Sequence, residues 1–187
     1  MSRLPASVFA IFCLVIASNA FALKFLSSKK AIVNLDTAIA SVKQQTNVPI
    51  LFPTRIPVSS QVKAQASYYA STTVFPDDKG YSISIDRTAT CNGAKYCSVG
   101  TVIATKGDRP QIYSQMNGPD LTVPIVLYQS QKGYYTPDHT EADFWPTMIE
   151  FKKGNVLYRV SWVVMNMADE KNVITMLANS MLAAGPQ

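Results

Sequence analysis

The residues best equipped for chemistry in this chain are one histidine among carboxylates, a serine three residues ahead of a lysine, and two closely spaced cysteines. His139 is the only histidine, and Asp138, Glu141 and Asp143 stand beside it. Such a group would act as a general base or hold zinc or calcium. A base needs a partnered nucleophile, however, and zinc needs about four ligands, of which a single histidine supplies one. Residues 138–143 also lack the central glycine of a calcium loop. The segment therefore reads as a polar loop closed by Phe144, Trp145 and Pro146, with no metal and no cofactor assigned.

Ser60 and Lys63 have the spacing of the Ser-x-x-Lys pair of penicillin-recognising enzymes. Those enzymes carry it in a much longer chain with two further motifs, and neither occurs in this sequence. A nucleophile elbow, a phosphate-cradling glycine loop and a dinucleotide fingerprint are also missing from the sequence. No catalytic residue is assigned. The enzymatic alternative is a small secreted hydrolase using Ser60 with Lys63, or Asp138 with His139.

Cys91 and Cys97 enclose five residues in CNGAKYC. A redox pair of the thioredoxin type wants two intervening residues, so the spacing predicts a structural disulfide closing a tight loop. Loop-closure entropy for such a ring is worth about 2–3 kcal/mol.

Aromatic side chains are the remaining candidates for ligand contact. Adjacent residues of a strand point to opposite faces, so one ring of each Tyr-Tyr pair can enter a core while the other lies over a cleft. Tyr69, Tyr134, Tyr135 and Trp145 are the candidate ligand-contacting rings, with Lys132, Lys152 and Arg159 as neighbouring cations. Ligands of matching chemistry are an envelope component, a peptide, a glycan or a small apolar molecule.

The elements that must position these groups follow from patterning. Residues 1–22, MSRLPASVFAIFCLVIASNAFA, have a basic start, an apolar run over 8–17 and small residues at Ala20 and Ala22. That is the form of a secretory signal peptide cleaved after Ala22, with cleavage after Ala20 as the near alternative. Cys13 would leave with it. Loss of the first 22 of 187 residues leaves 165, enough for one domain over 23–187. Arg3 is the only charged side chain removed, so the formal charge falls from +5 to +4. The densest basic clusters are Lys29-Lys30 and Lys152-Lys153, too small for a nucleic-acid surface. No mature segment approaches the roughly twenty apolar residues of a membrane span.

Residues 23–30 read as a frayed lead-in. Ile32, Leu35, Ile39 and Val42 recur at helical steps, predicting a helix over 31–45. Pro49, Pro53 and Pro57 then forbid helix, while Val48, Ile50, Leu51, Phe52 and Ile56 predict an extended crossover laid on the core. Strand-like alternation follows in ASYYASTTV, YSISIDRTA and SVGTVIATK. A strand over 121–128 is placed at an edge by Pro124, with Gly133, Tyr134 and Tyr135 in its partner. TMIEF and VLYRVSWVV form a hairpin around a turn over 152–155. A final helix starts at Asp169 or Glu170, with Asp169 as its cap, and Gly185-Pro186 ends it. The expected fold is α+β, an antiparallel and strongly curved sheet of about six to eight strands with an N-terminal and a C-terminal helix on one face.

The order of these features resembles a group of exported bacterial proteins, of Gram-negative or cyanobacterial type, with a single domain of unassigned function. The likeness rests on the PILFP segment, the paired tyrosines, the two nearby cysteines, the YRV strand and the MLANSMLAAGP helix, and covers residues 31–186. It implies the fold and carries over no functional residue. The function expected is that of a periplasmic or secreted binding or accessory protein of the cell envelope. A carrier of lipid or another hydrophobic molecule in a curved sheet is a second alternative.

Overall fold

The computed structural model describes residues 24–58, 68–94, 96–112, 121–138, 146–163 and 169–187. Residues 1–22, read above as a signal peptide, lie outside them. In chain order the described elements are β1 (Lys24–Ser27), α1 (Ser28–Ala31), α2 (Leu35–Gln45), β2 (Arg55–Val58), β3 (Tyr69–Phe75), β4 (Gly80–Asp86), β5 (Ser98–Lys106), β6 (Val123–Val126), β7 (Lys132–Thr136), β8 (Thr147–Lys153), β9 (Val156–Trp162) and α3 (Glu170–Ala184). Seven strands form one antiparallel sheet in the order β3-β4-β5-β9-β8-β7-β6, and β1 pairs with β2 in a smaller one. The larger sheet is open: β3 and β6 are edges, and no strand pair closes it into a curved enclosure.

Alternation decides which face is buried. Tyr81, Ile83 and Ile85 of β4, Val102 and Ala104 of β5, Tyr158, Val160 and Trp162 of β9, and Ile149 and Phe151 of β8 share one face and join a single hydrophobic core. Helix α3 packs on β8 and β9. Its apolar stripe of Val173, Ile174, Leu177, Ala178, Met181 and Leu182 is buried there. Gly100 of β5 is placed by packing, since a Cβ on it would stand 2.3 Å from Cε3 of Trp162.

The proline-spaced segment covers the same core. Val48, Ile50, Leu51 and Phe52 are buried, and a chain without regular structure can be buried only if its peptide groups find partners. The Pro49 carbonyl accepts from the Tyr158 hydroxyl at 2.8 Å, and the Leu51 N–H donates to the Tyr81 hydroxyl at 3.1 Å. Gln187 donates its backbone N–H to the Ile50 carbonyl at 2.9 Å and its side-chain amide to the Phe52 carbonyl at 3.1 Å. The Ser28 hydroxyl donates to the Pro53 carbonyl. Burial holds the Tyr81 phenol above its usual range and pushes Tyr158 up to about 12.

Several boundaries differ from the sequence reading. Residues 24–27 are a paired strand instead of a frayed lead-in, because Phe25 and Leu26 pack against the core and the backbone bonds to residues 55–58. The helix expected over 31–45 is interrupted. Ile32 bridges Tyr68, and the Asn34 side-chain amide takes both the N–H and the carbonyl of Ala70 at 2.7 and 2.8 Å, so α2 begins at Leu35 beside the β3 edge. The Asp169 side chain makes no capping bond to α3. Instead Glu170 turns inward, 6% exposed, and accepts from the Asp138 N–H and the Tyr135 hydroxyl. The β8–β9 turn is two residues shorter than expected, because Lys152 and Lys153 remain in β8 and only Gly154-Asn155 turns the chain. Edge strand β6 is confined to four residues, since Tyr128–Ser130 forms a short helical turn.

Candidate functional site

The strand face turned away from the core carries the chemistry. One cross-strand row runs over all seven strands of the large sheet: Thr73, Ser82, Ile103, Arg159, Glu150, Tyr134 and Pro124. At its centre an arginine and a glutamate sit opposite each other on β9 and β8. Both stand as a single charge within a short apolar run, in MIEF and in LYRV.

Glu150 is only 2% exposed, so its charge requires partners. Its Oε1 accepts from Arg159 Nε at 2.7 Å and forms an ion pair with Nη2 at 2.5 Å, and its Oε2 accepts from the Gln111 N–H at 2.6 Å. Arg159 Nη2 also donates to Gln111 Oε1 at 3.2 Å. One edge of the guanidinium is thereby fixed, and the connection after β5 is held over the sheet. Among the described residues, Nη1 of Arg159 makes no hydrogen bond.

Beneath that connection lies a cleft of about 330 Å³, lined by Ile103 and Thr105 of β5, Leu157 and Arg159 of β9, and Asp108, Arg109 and Gln111 of the connection. Its floor is two adjacent cross-strand pairs, Ile103 with Arg159 and Thr105 with Leu157. Leu157 is 5% exposed although it faces away from the main core. An apolar floor, a fixed guanidinium and two further charged groups at the rim make a surface suited to binding; none of its side chains is an activated nucleophile.

The disulfide loop closes another part of this face. Cys91 and Cys97 are bonded, with Cα atoms 5.8 Å apart. Asn92 and Gly93 both have positive φ, and a Cβ at position 93 would stand 3.0 Å from the Ser84 hydroxyl. That close approach lets the Gly93 N–H donate to Asp86 Oδ2 at 3.1 Å, beside the Ser71 hydroxyl at 2.6 Å. The other oxygen of this buried carboxylate, Oδ1, has no hydrogen-bond partner among the described residues.

The candidate aromatic residues are not brought together. Tyr69 lies on β3 and Tyr134 on β7, five strand spacings apart, or about 24 Å. Tyr134 is on the cleft side of the sheet but outside the cleft lining, with the Lys132 ammonium 5.1 Å from its ring centre. Tyr135 faces the core side, where burial and then the Glu170 carboxylate push its phenol up to about 12. Trp145, His139, Glu141, Asp143, Ser60 and Lys63 lie outside the described residues. Asp138 is described, and its backbone N–H meets Glu170.

Among the described residues no three histidine, cysteine, aspartate or glutamate side chains gather as a metal site, and no helix is long and apolar enough to cross a membrane. Arg109, Gln111 and Glu150 were absent from the sequence-derived candidates, and Arg159 entered only as a cation beside tyrosines. The available signal was the pairing of the two lone charges across the hairpin. No protein-family model matches the chain, and no curated protein or solved structure matches it either.

Proposed function

We propose that this chain is an exported, non-catalytic binding or accessory domain of the periplasm or extracellular space, which engages its ligand on the strand face opposite α3. The observation that carries the reading is the cleft over β5 and β9, where Glu150 and Gln111 hold Arg159 in place before any ligand arrives. Preorganised polar groups beside an apolar floor lower the ordering cost of binding. The Cys91–Cys97 disulfide supports an oxidising compartment, in accord with the signal-like residues 1–22 and with the resemblance to exported bacterial proteins.

Protein purified after export should gain a discrete bound mass in native mass spectrometry when mixed with a small-molecule envelope extract. A Thr105→Trp variant, which fills the cleft from its floor, should not. Equal adducts on both proteins, or none on the wild type, would remove the cleft as the site.

A further inference from the structure

Resting on that reading of the cleft, we infer that its ligand presents a carboxylate joined to a small apolar group. The inference comes from which donors are committed and which are not. Nε and Nη2 of Arg159 are taken by Glu150 and Gln111, and Nη1 and the guanidinium of Arg109 form no hydrogen bond or ion pair among the described residues. Two guanidinium groups thus line one cleft with donor capacity unspent, and a planar carboxylate is the anion that a guanidinium fork matches best.

The remaining lining sets the rest of the ligand. Asp108 shares the rim, and its charge disfavours a dianion such as phosphate, while a single carboxylate leaves room for it to accept from a ligand N–H. Ile103 and Leu157 supply the apolar floor, in a space of about 330 Å³, at the small end of ligand pockets. Two sources share this chemistry: a free short acid or apolar amino acid derivative, and the C-terminus of a peptide.

The test is a titration of the exported protein followed by the methyl resonances of Ile103 and Leu157. The probes are N-acetyl-leucine, its neutral amide, inorganic phosphate, and a leucine-ending peptide with a free or an amidated terminus. The free acids should give saturable shifts, and the amides should bind at least about tenfold more weakly, the loss expected for a charge-assisted hydrogen bond. Arg109→Gln, an exposed position, should weaken the acids several-fold while core methyls such as those of Ile149 stay unmoved. A peptide tighter than N-acetyl-leucine assigns the terminus as the source, and equal affinity assigns the free acid. Acid and amide binding alike, phosphate binding as tightly as the acids, or no saturable shift with any acid would overturn the inference. In that event a mass adduct from envelope extract that Thr105→Trp abolishes would leave the binding reading standing, and its absence would end both.

Discussion

Replacing Arg159 by methionine isolates what the centre of the open face contributes. Glu150 would stay 2% exposed and would lose the guanidinium's hydrogen bond and ion pair, keeping only the Gln111 N–H. Removing one partner of a buried pair costs about 3–5 kcal/mol. The Arg159 side chain is itself 29% exposed, which together with the surviving N–H places the loss at the lower end, about 3 kcal/mol. With a urea dependence of about 2 kcal/mol per molar, the unfolding midpoint should fall by about 1.5 M. Glu150→Gln should cost less, about 1 kcal/mol, because an amide oxygen still accepts and the arginine can turn to water. The double variant Glu150→Met with Arg159→Met should regain most of the loss, since an apolar pair can replace a buried ion pair with little penalty. Urea titrations monitored by tryptophan fluorescence would measure all four proteins. A loss below about 1 kcal/mol for Arg159→Met, or a double variant no more stable than Arg159→Met alone, would refute the claim that Glu150 depends on Arg159 for its burial.

Three further outcomes follow from the same coordinates. Protein prepared under oxidising conditions without reductant should show no free thiol at Cys91 or Cys97, and Cys91→Ala should expose Cys97 to alkylation and lower stability by about 2–3 kcal/mol while the fold persists. Gly100→Ala should cost at least about 1–3 kcal/mol, as for an overpacked core, through the clash with Trp162; an unchanged thermal midpoint would refute the packing. Tyr135 and Tyr158 are raised to about 12 in the fold, above the unfolded value near 10. Their contribution to stability is therefore complete below about pH 10 and lost as pH rises towards about 12. Absorbance titration at alkaline pH should show these phenols ionising together with unfolding, and Tyr158→Phe should remove part of that pH dependence.

The sheet was legible because its strands alternate cleanly. Residues 81–85 and 100–104 each bury every second residue, and the core side of both strands follows from that alternation. The crossover at 48–53 was legible for the opposite reason, since prolines forbid helix while the residues between them are apolar. The N-terminal elements were not. The extended turn at Ile32 depends on Tyr68, and the start of α2 depends on the Asn34 amide reaching Ala70, contacts between segments more than thirty residues apart. The site was hidden by register. A four-residue turn over 152–155 sets Glu150 opposite Leu157, whereas the two-residue Gly154-Asn155 turn sets it opposite Arg159. Asp108 and Arg109 join that pair only because a polar connection folds back across β5 and β9, and no local propensity records such a return.

The most direct test of the open face as a binding surface is a methyl spectrum of the protein before and after addition of small-molecule envelope extract. Binding in the cleft requires Ile103 and Leu157 to shift while Ile83, Ile149 and Leu177, buried in the core, stay in place. Shifts confined to residues of α3, such as Met176, or an unchanged spectrum would contradict the account.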